Sequence, residues 1–537
     1  MSLIQVSDLT FSYDGSYDLI FDEASFQIDT DWKLGFVGRN GRGKTTFLKL
    51  LMGQMEYRGK IKADVEFDYF PFSVPNIEED TIAVAYGIYP ELEYWQLVRE
   101  LSRLEMEEET LSRPFYTLSG GERTKVLLAV LFLKEHNFLL IDEPTNHLDT
   151  ETRQLVGDYL AKKKGFILVS HDRAFLDRSV DHILAINKTK ITVTKGDFST
   201  WYENKQRQDQ FELDENQRLR ADIRRLKKAA RQAKAWADEV ESTKIGKKAA
   251  LKFETTGCID TRAYVGEKSR RMQQRRKNLE KRQQRAIDEK SGLLKDIEVA
   301  EDLKLFPGLN QIKKDSPLVR LRDFGIAYPG KQNPQKLFPV FKNTTFEIMP
   351  GEQILLKGRN GCGKSSILKK LMEEYALKKA SSSVGPEDRP EEYGETMKGA
   401  IVTGELWLDS HLKISYVPQD ASFLSGSLKE YARRIEEEDG VEMNLFMTLL
   451  RKLDMPRQQF EKRMEEFSEG QKKKVLLAQS LCQQADLYLW DEPLNYIDIY
   501  SRMQIEQVIQ TARPTMILVE HDERFTQTIA PKEIKVV

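Results

Sequence analysis

The chain has 537 residues, 83 Lys plus Arg against 85 Asp plus Glu, a formal net charge of −2, and three cysteines. That length suits three or four domains of about 150 residues each, and the scattered, odd set Cys258, Cys362 and Cys482 excludes a disulfide framework and a four-cysteine metal site. Taken whole, the near-neutral sum argues against a nucleic-acid partner, yet residues 201–300 hold 26 Lys/Arg against 17 Asp/Glu, leaving 57 against 68 elsewhere. A basic middle lies between two acidic flanks. The longest wholly apolar run, Val126–Leu133, has eight residues, far short of the ~20 that cross a bilayer. The opening MSLIQVSDLTFSYDG has no basic stretch followed by an apolar one, so no secretory signal, a cytoplasmic location and reduced thiols are expected.

In chain order, Tyr13 stands 25 residues before Gly38 and is placed to stack on an adenine ring, with packing as the alternative. The apolar run KLGFV then leads into GRNGRGKTT, Gly38–Thr46, and a helix-like segment, the strand, loop and helix that a phosphate-binding loop requires. Gly38, Asn40, Gly41, Gly43 and Thr46 belong to a loop that closes around phosphate oxygens at a helix N-terminus. Lys44 reaches the β- and γ-phosphates, and the Thr45 hydroxyl is a Mg²⁺ ligand. The apolar strand FLLID ends in Asp142, placed to hold Mg²⁺, and Glu143, placed to polarise an attacking water. His171 follows the apolar run GFILVS, 29 residues beyond Asp142, where an imidazole can contact the γ-phosphate.

No proline occurs between Pro144 and Pro307, and from about residue 201 the chain is rich in good helix formers. Leu219, Ile223, Leu226, Ala230, Ala233, Ala237 and Val240 alternate steps of four and three, a heptad seam. Met272, Leu279, Ala286 and Leu293 repeat every seven on a returning helix. Between them, about 241–262, the period fails near Gly246 and Gly257. The expectation is an antiparallel helical hairpin, each arm about 60 Å for some forty residues, with a tip carrying Lys252, Phe253, Ile259 and Tyr264. Those tip side chains suit stacking near RNA bases, or packing of the turn. From Arg218 to Arg285 there are 22 Lys/Arg against 8 Asp/Glu, net +14, which points to a polyanion, RNA before DNA.

The same machine then returns. Tyr328 precedes QILLK and GRNGCGKSS, Gly358–Ser366, an offset of 320 from the first copy, with Gly358, Asn360, Gly361, Gly363, Lys364, Ser365 and Ser366 in the equivalent places. YVPQ, ending in Gln419, answers YFPF at an offset of 347; FSEGQ answers LSGGE and WDEPLNYID answers IDEPTNHLD at 349; EHDERF answers SHDRAF at 350. Asp491, Glu492 and His521 thus repeat Asp142, Glu143 and His171. The change of offset places an insert at about 374–400, whose Ser, Pro, Gly and Glu content reads as a mobile surface loop.

These motifs together resemble the ATP-binding cassette (ABC) superfamily, specifically its ABC-F class of paired cassettes without membrane domains. The resemblance implies an α/β fold of two P-loop cassette domains, 1–198 and 301–537, joined by a helical hairpin linker at 199–300. It implies a head-to-tail sandwich with ATP and Mg²⁺ in composite sites. Site one combines Lys44, Thr45, Asp142, Glu143 and His171 with Ser468, Gly470 and Gln471. Site two combines Lys364, Ser365, Gln419, Asp491, Glu492 and His521 with Ser119, Gly120, Gly121 and Glu122, Gln419 serving there as a further Mg²⁺ ligand. The pattern is broken twice, both times in site one: Phe72 stands where a Q-loop glutamine is expected and Glu469 where the signature's first glycine is expected. Slower hydrolysis in site one, acting mainly as an ATP clamp, is the expectation; simple tolerance of both residues is the alternative.

For ABC-F proteins the linker enters the ribosomal E site toward the P-site tRNA and peptidyl transferase centre, so the implied partners are large-subunit rRNA and tRNA, with no membrane partner, no DNA and a monomeric chain. Only 72 residues separate Thr46 and Ser119, leaving no room for the arm insertion of housekeeping members. Together with the long tip, this resembles the antibiotic-resistance branch, the Lsa- and Vga-type ribosome protection proteins acting against lincosamides, pleuromutilins and streptogramin A. A housekeeping factor for stalled ribosomes is the nearest alternative, then a transporter ATPase subunit or a DNA-repair ATPase.

Overall fold

The apolar runs of the two halves build two copies of one sheet plan. In the first half the strands are β1 (Leu3–Phe11), β2 (Phe21–Asp29), β3 (Lys33–Val37), β4 (Arg58–Lys62), β5 (Glu66–Phe70), β6 (Asn137–Asp142), β7 (Phe166–Val169), β8 (His182–Asn187) and β9 (Lys190–Lys195). In the second they are β10 (Val319–Pro329), β11 (Leu337–Ile348), β12 (Gln353–Lys357), β13 (Ile401–Leu408), β14 (Ile414–Val417), β15 (Leu487–Asp491), β16 (Met516–Val519) and β17 (Lys532–Lys535). This computed structural model describes residues 2–13, 19–134, 136–146, 148–187, 190–247, 316–329, 337–382, 400–529 and 531–536, and singly 278, 281, 282, 285 and 303.

Each half pairs a three-stranded antiparallel sheet, β2-β1-β4 or β11-β10-β13, with a mainly parallel one. The parallel sheets run β5-β6-β7-β3-β8-β9, closed by the antiparallel pair β8 and β9, and β14-β15-β16-β12-β17. Strands such as FILV (β7) and MILV (β16) are buried along their whole length, as expected of parallel strands covered on both faces. Where the two sheets meet, Phe47 makes edge contacts with Phe21 of β2 and Phe36 of β3, at 6.0 and 5.6 Å between ring centroids. That clamp fixes the helix Lys44–Leu51, and with it the loop preceding it. In the second half Ile367, Leu368 and Leu371 share one apolar cluster with Phe341 and Leu356.

Residues Met1–Trp201 and Ala300–Val537 form one compact unit and Tyr202–Val299 a second. The helix Phe198–Lys247 spans 50 residues, about 75 Å at 1.5 Å per residue. Along it Ile223 is buried and Leu219 and Leu226 half-buried, whereas Arg218, Arg220, Arg224, Arg225, Lys227 and Lys228 are exposed. The seam residues are thus more buried than the basic residues interleaved with them. The helix continues to Lys247, so the expected tip at 241–262 begins later than its glycine suggested: one glycine costs only about 1 kcal/mol, and extending a formed helix is far easier than starting one. Asn278, Lys281, Arg282 and Arg285 are helical; the returning seam Met272, Leu279, Ala286 and Leu293, and Lys252, Phe253, Ile259 and Tyr264, lie outside the described residues.

The expected loop at 374–400 also begins later, with a helix in its first part. The helix Lys364–Ser382 runs through its first nine residues, because EYALKKASS has good helix formers and neither glycine nor proline. Residues 383–399 lie outside the described residues.

Candidate ATP sites

The predicted phosphate-loop residues, Asp-Glu pairs and histidines gather at the C-terminal ends of parallel strands, where open α/β sheets bind ligands. In the first half β3 leads into the phosphate loop, β6 ends at Asp142, β7 is followed by His171 and β5 by Phe72. Gly41 and Gly361 have φ of +78° and +84°, and no atom lies within 4 Å of where a Cβ would stand. They turn the backbone into a cradle whose concave side is open. Gly43 and Gly363 serve packing instead: a Cβ there would lie 2.4 Å from Ile20 and 2.5 Å from Phe341. Behind each cradle the buried lysine donates to loop carbonyls, Lys44 Nζ to Gly38 O and Arg39 O at 2.7 and 3.2 Å, Lys364 Nζ to Gly358 O and Arg359 O at 2.7 and 2.9 Å.

The hydroxyl and carboxylate of each proposed metal pair meet. Thr45 Oγ1 donates to Asp142 Oδ2 at 2.8 Å and Ser365 Oγ to Asp491 Oδ1 at 3.0 Å. Burial pushes both carboxyls up, Asp491 to about 6. Asp491 Oδ2 is buried with no hydrogen-bond partner, an oxygen suited to Mg²⁺ in an otherwise oxygen-only donor set. ATP with Mg²⁺ therefore fits the residues present. The Tyr13 hydroxyl lies 2.7 Å from Thr46 Oγ1 and that of Tyr328 3.3 Å from Ser366 Oγ, which sets each ring beside its phosphate loop.

The carboxylates expected to polarise the water are where the two sites part. Glu492 Oε2 accepts hydrogen bonds from Gln419 Nε2 at 2.9 Å and Asn495 Nδ2 at 2.6 Å, and His521 Nε2 lies 3.9 Å from its other oxygen. Glu143 has Phe72 in place of that glutamine; Oε1 has no hydrogen-bond partner and lies 3.4 Å from His171 Nε2. Burial, then the adjacent Asp142, pushes Glu143 up to about 8. Both histidines are held neutral: burial and then Lys44 lower His171 well below its ordinary value, and burial and then Arg153 lower His521 to about 3.

The halves also meet across these sites. Asn40 Nδ2 donates to Tyr496 O at 2.8 Å, and a Cβ at Gly470 would lie 2.5 Å from Tyr496 O and 3.2 Å from Asn40 Nδ2. Gly470 is thus required for the first phosphate loop to approach the second half's signature turn. On the other side, Asn360 N reaches Asp149 Oδ2 at 3.5 Å, while Gly121, the counterpart of Gly470, has Leu148 and Thr152 as its neighbours within 4 Å among the described residues. A cavity of ≈ 920 Å³ opens there between Asp149–Gln154 and the Gly358–Cys362 and His521 segments. Ser119 and Ser468 cap the signature helices, Ser119 with Glu122 and Ser468 with Gln471, in reciprocal capping boxes. Glu469 is exposed and reaches Lys472 at 3.4 Å, so its charge is paired within the first helical turn.

Sequence reasoning passed over several participants. The Tyr69 hydroxyl donates to Asp142 Oδ2 at 3.0 Å, and its counterpart Tyr416 is packed near Asp491; their recurrence in YFPF and YVPQ was the available signal. Asn495, in WDEPLN, was another. Lys474 Nζ donates to the fully buried Asp498 Oδ2 at 2.9 Å, and despite its burial Asp498 is held well below the usual carboxylate range by that ammonium.

A family model described as "ABC transporter" matches residues 21–146 and 341–495, one match in each half. The chain belongs to the ABC family. It is an ABC-type ATPase with two mixed α/β ABC domains and a linker between them. Similar proteins include "Ribosome protection protein VmlR" of Bacillus subtilis (strain 168), 24% identical over 526 residues covering 96% of this chain and 84% of that one. "ABC transporter F family member 5" of Arabidopsis thaliana is 24% identical over 585 residues, covering 99% and 75%. Among solved structures, the complex of archaeal ribosomal stalk protein aP1 and archaeal ribosome recycling factor aABCE1 gives a TM-score of 0.57 at 19% identity, covering 98% of this chain and 87% of that one. "RNase-L Inhibitor" gives 0.54 at 20%, again covering 98% and 87%. Among the described residues, no helix of this ABC protein is long and apolar enough to cross a membrane.

Proposed function

We propose that this chain is an ABC-F ATPase of the ribosome-protection type. Two ATP molecules close its cassettes, 1–198 and 301–537, about the composite sites; the closed form enters the ribosomal E site, and the linker, 199–300, reaches toward the P-site tRNA and peptidyl transferase centre. Bound lincosamide, pleuromutilin or streptogramin A drugs are dislodged, and hydrolysis releases the factor into the cytoplasm. The observation that carries this reading is a 50-residue helix with a basic exposed face, encoded between two ATP-binding halves. Similarity across 96% of the chain to a protein named for ribosome protection supports the same reading.

In each site Lys44 or Lys364 and the glycine cradle bind the phosphates, Tyr13 or Tyr328 takes the adenine, and Glu143 or Glu492 orients the water. Thr45 and Asp142, and Ser365, Gln419 and Asp491, would hold Mg²⁺, which supplies charge neutralisation at the phosphate oxygens. Neutral His171 and His521 face the γ-phosphate, and Ser119–Glu122 or Ser468 with Gly470 and Gln471 close the site from the opposite cassette. ATP drives closure only through its higher affinity for the closed state.

Growth tests the drug reading. Cells expressing the wild-type chain should tolerate about fourfold or more of these three drug classes, a population shift well within ATP-driven coupling, and cells expressing Glu143→Gln with Glu492→Gln should not. Unchanged tolerance with the wild-type chain would remove drug displacement from the account.

A further inference from the structure

The run Lys472–Lys474 looks in the sequence like a solvated basic face, yet Lys473 and Lys474 are 2% and 3% exposed. Lys474 is committed to Asp498. Lys473 Nζ instead donates to Pro418 O at 2.7 Å and to Glu492 O at 3.3 Å. Burying an ammonium is costly unless it is paired, and this one sits in the field of Asp491, Glu492, Glu520 and Asp420. The two carbonyls it grips belong to the residue before Gln419 and to Glu492 itself. Glu492 has a φ of +45°, a left-handed conformation that a non-glycine residue keeps only when its surroundings hold it. The ammonium thus ties the Q-loop turn to the peptide of the catalytic carboxylate.

The other ABC half lacks the device. At the equivalent position, 349 residues earlier, stands Thr124, whose hydroxyl donates to Gly120 O of its own helix at 3.0 Å. Glu143 has the same left-handed backbone, φ +51°, without an ammonium from that position.

We infer that Lys473 is a positioning residue of site two, holding Pro418 and Glu492 at the separation that lets the Gln419 amide aim the Glu492 carboxylate at the attacking water. The inference rests on the reading that site two carries the turnover. It predicts a loss confined to the catalytic step, because the lysine touches neither the phosphate cradle nor the adenine side.

The test uses full-length protein carrying Glu143→Gln, so that site two is read alone. Adding Lys473→Met should lower kcat by about tenfold or more, the scale of a misplaced general base, while KM and the affinity for a fluorescent ATP analogue stay within about threefold. Lys473→Arg should recover much of kcat, since a guanidinium can still donate to both carbonyls. A kcat for Lys473→Met within about twofold of the parent would overturn the inference. So would kcat and KM moving together with no recovery by arginine, which would mark a purely structural lysine. A parallel Glu492→Gln protein separates the two readings: inactive there but active with Lys473→Met sinks the lysine's role alone, and active there sinks both.

Discussion

Glu492→Gln should lower steady-state ATP turnover by about a hundredfold, and Glu143→Gln by no more than about fivefold. Both residues end buried strands, but only Glu492 has the support a base requires. Gln419 and Asn495 hold one of its oxygens with two amide donors, so the direction of the carboxylate is fixed. At the position of Gln419 the first half has Phe72, which can offer no hydrogen bond, and one Glu143 oxygen is buried without a partner. A buried carboxylate so placed is pushed toward its protonated form, in which it cannot take a proton from water. In site one Asn40, Tyr496 and Gly470 are in contact. Glu469, the other departure from the signature pattern, contributes little to the difference because Lys472 pairs it. Equal losses in the two single variants, measured by phosphate release at saturating ATP, would refute the division of labour.

Replacing Arg218, Arg220, Arg224, Arg225, Lys227 and Lys228 together by glutamine should weaken ribosome binding by about a hundredfold or more near physiological salt. All six are exposed, and the seam residues Leu219, Ile223 and Leu226 are unchanged. Their removal therefore leaves the seam intact and keeps a residue with good helix propensity at each place. If each contacts one phosphate, the slope of log affinity against log salt should become shallower by about four to five. The same number of lysines and arginines neutralised elsewhere on the cassettes should leave the slope nearly unchanged. A salt slope unaltered by the linker variant would show that the cassettes, rather than the linker, meet the polyanion.

How legible the chain was depends on what each motif does. The phosphate loops, the Asp-Glu pairs and the histidines were readable because each sits at a strand end and each occurs twice; the parallel sheets then place them together with no further information. The linker helix was readable from its heptads, but not its extent, because a single glycine at 246 is a weak stop inside a long helix. The start of the insert is hidden for a related reason: EYALKKASS has helical composition but leads directly into a Ser- and Pro-rich stretch. Lys473 was invisible because three consecutive lysines carry no sign of which one the fold buries. Its role depends on a carbonyl 55 residues away. The asymmetry of the sites was half visible: Phe72 could be seen, but the Gln419, Glu492 and Asn495 network that it lacks could not.

In the proposed cycle ATP closes this chain onto ribosomes and hydrolysis lets it go. The direct measurement is co-sedimentation of the full chain with purified ribosomes through a sucrose cushion, comparing wild type with Glu143→Gln, Glu492→Gln in the presence of ATP. The double variant should pellet near stoichiometrically with ATP and not without nucleotide, while the wild type should pellet only weakly because it turns over. Equal, ATP-independent recovery of both proteins in the supernatant would contradict it.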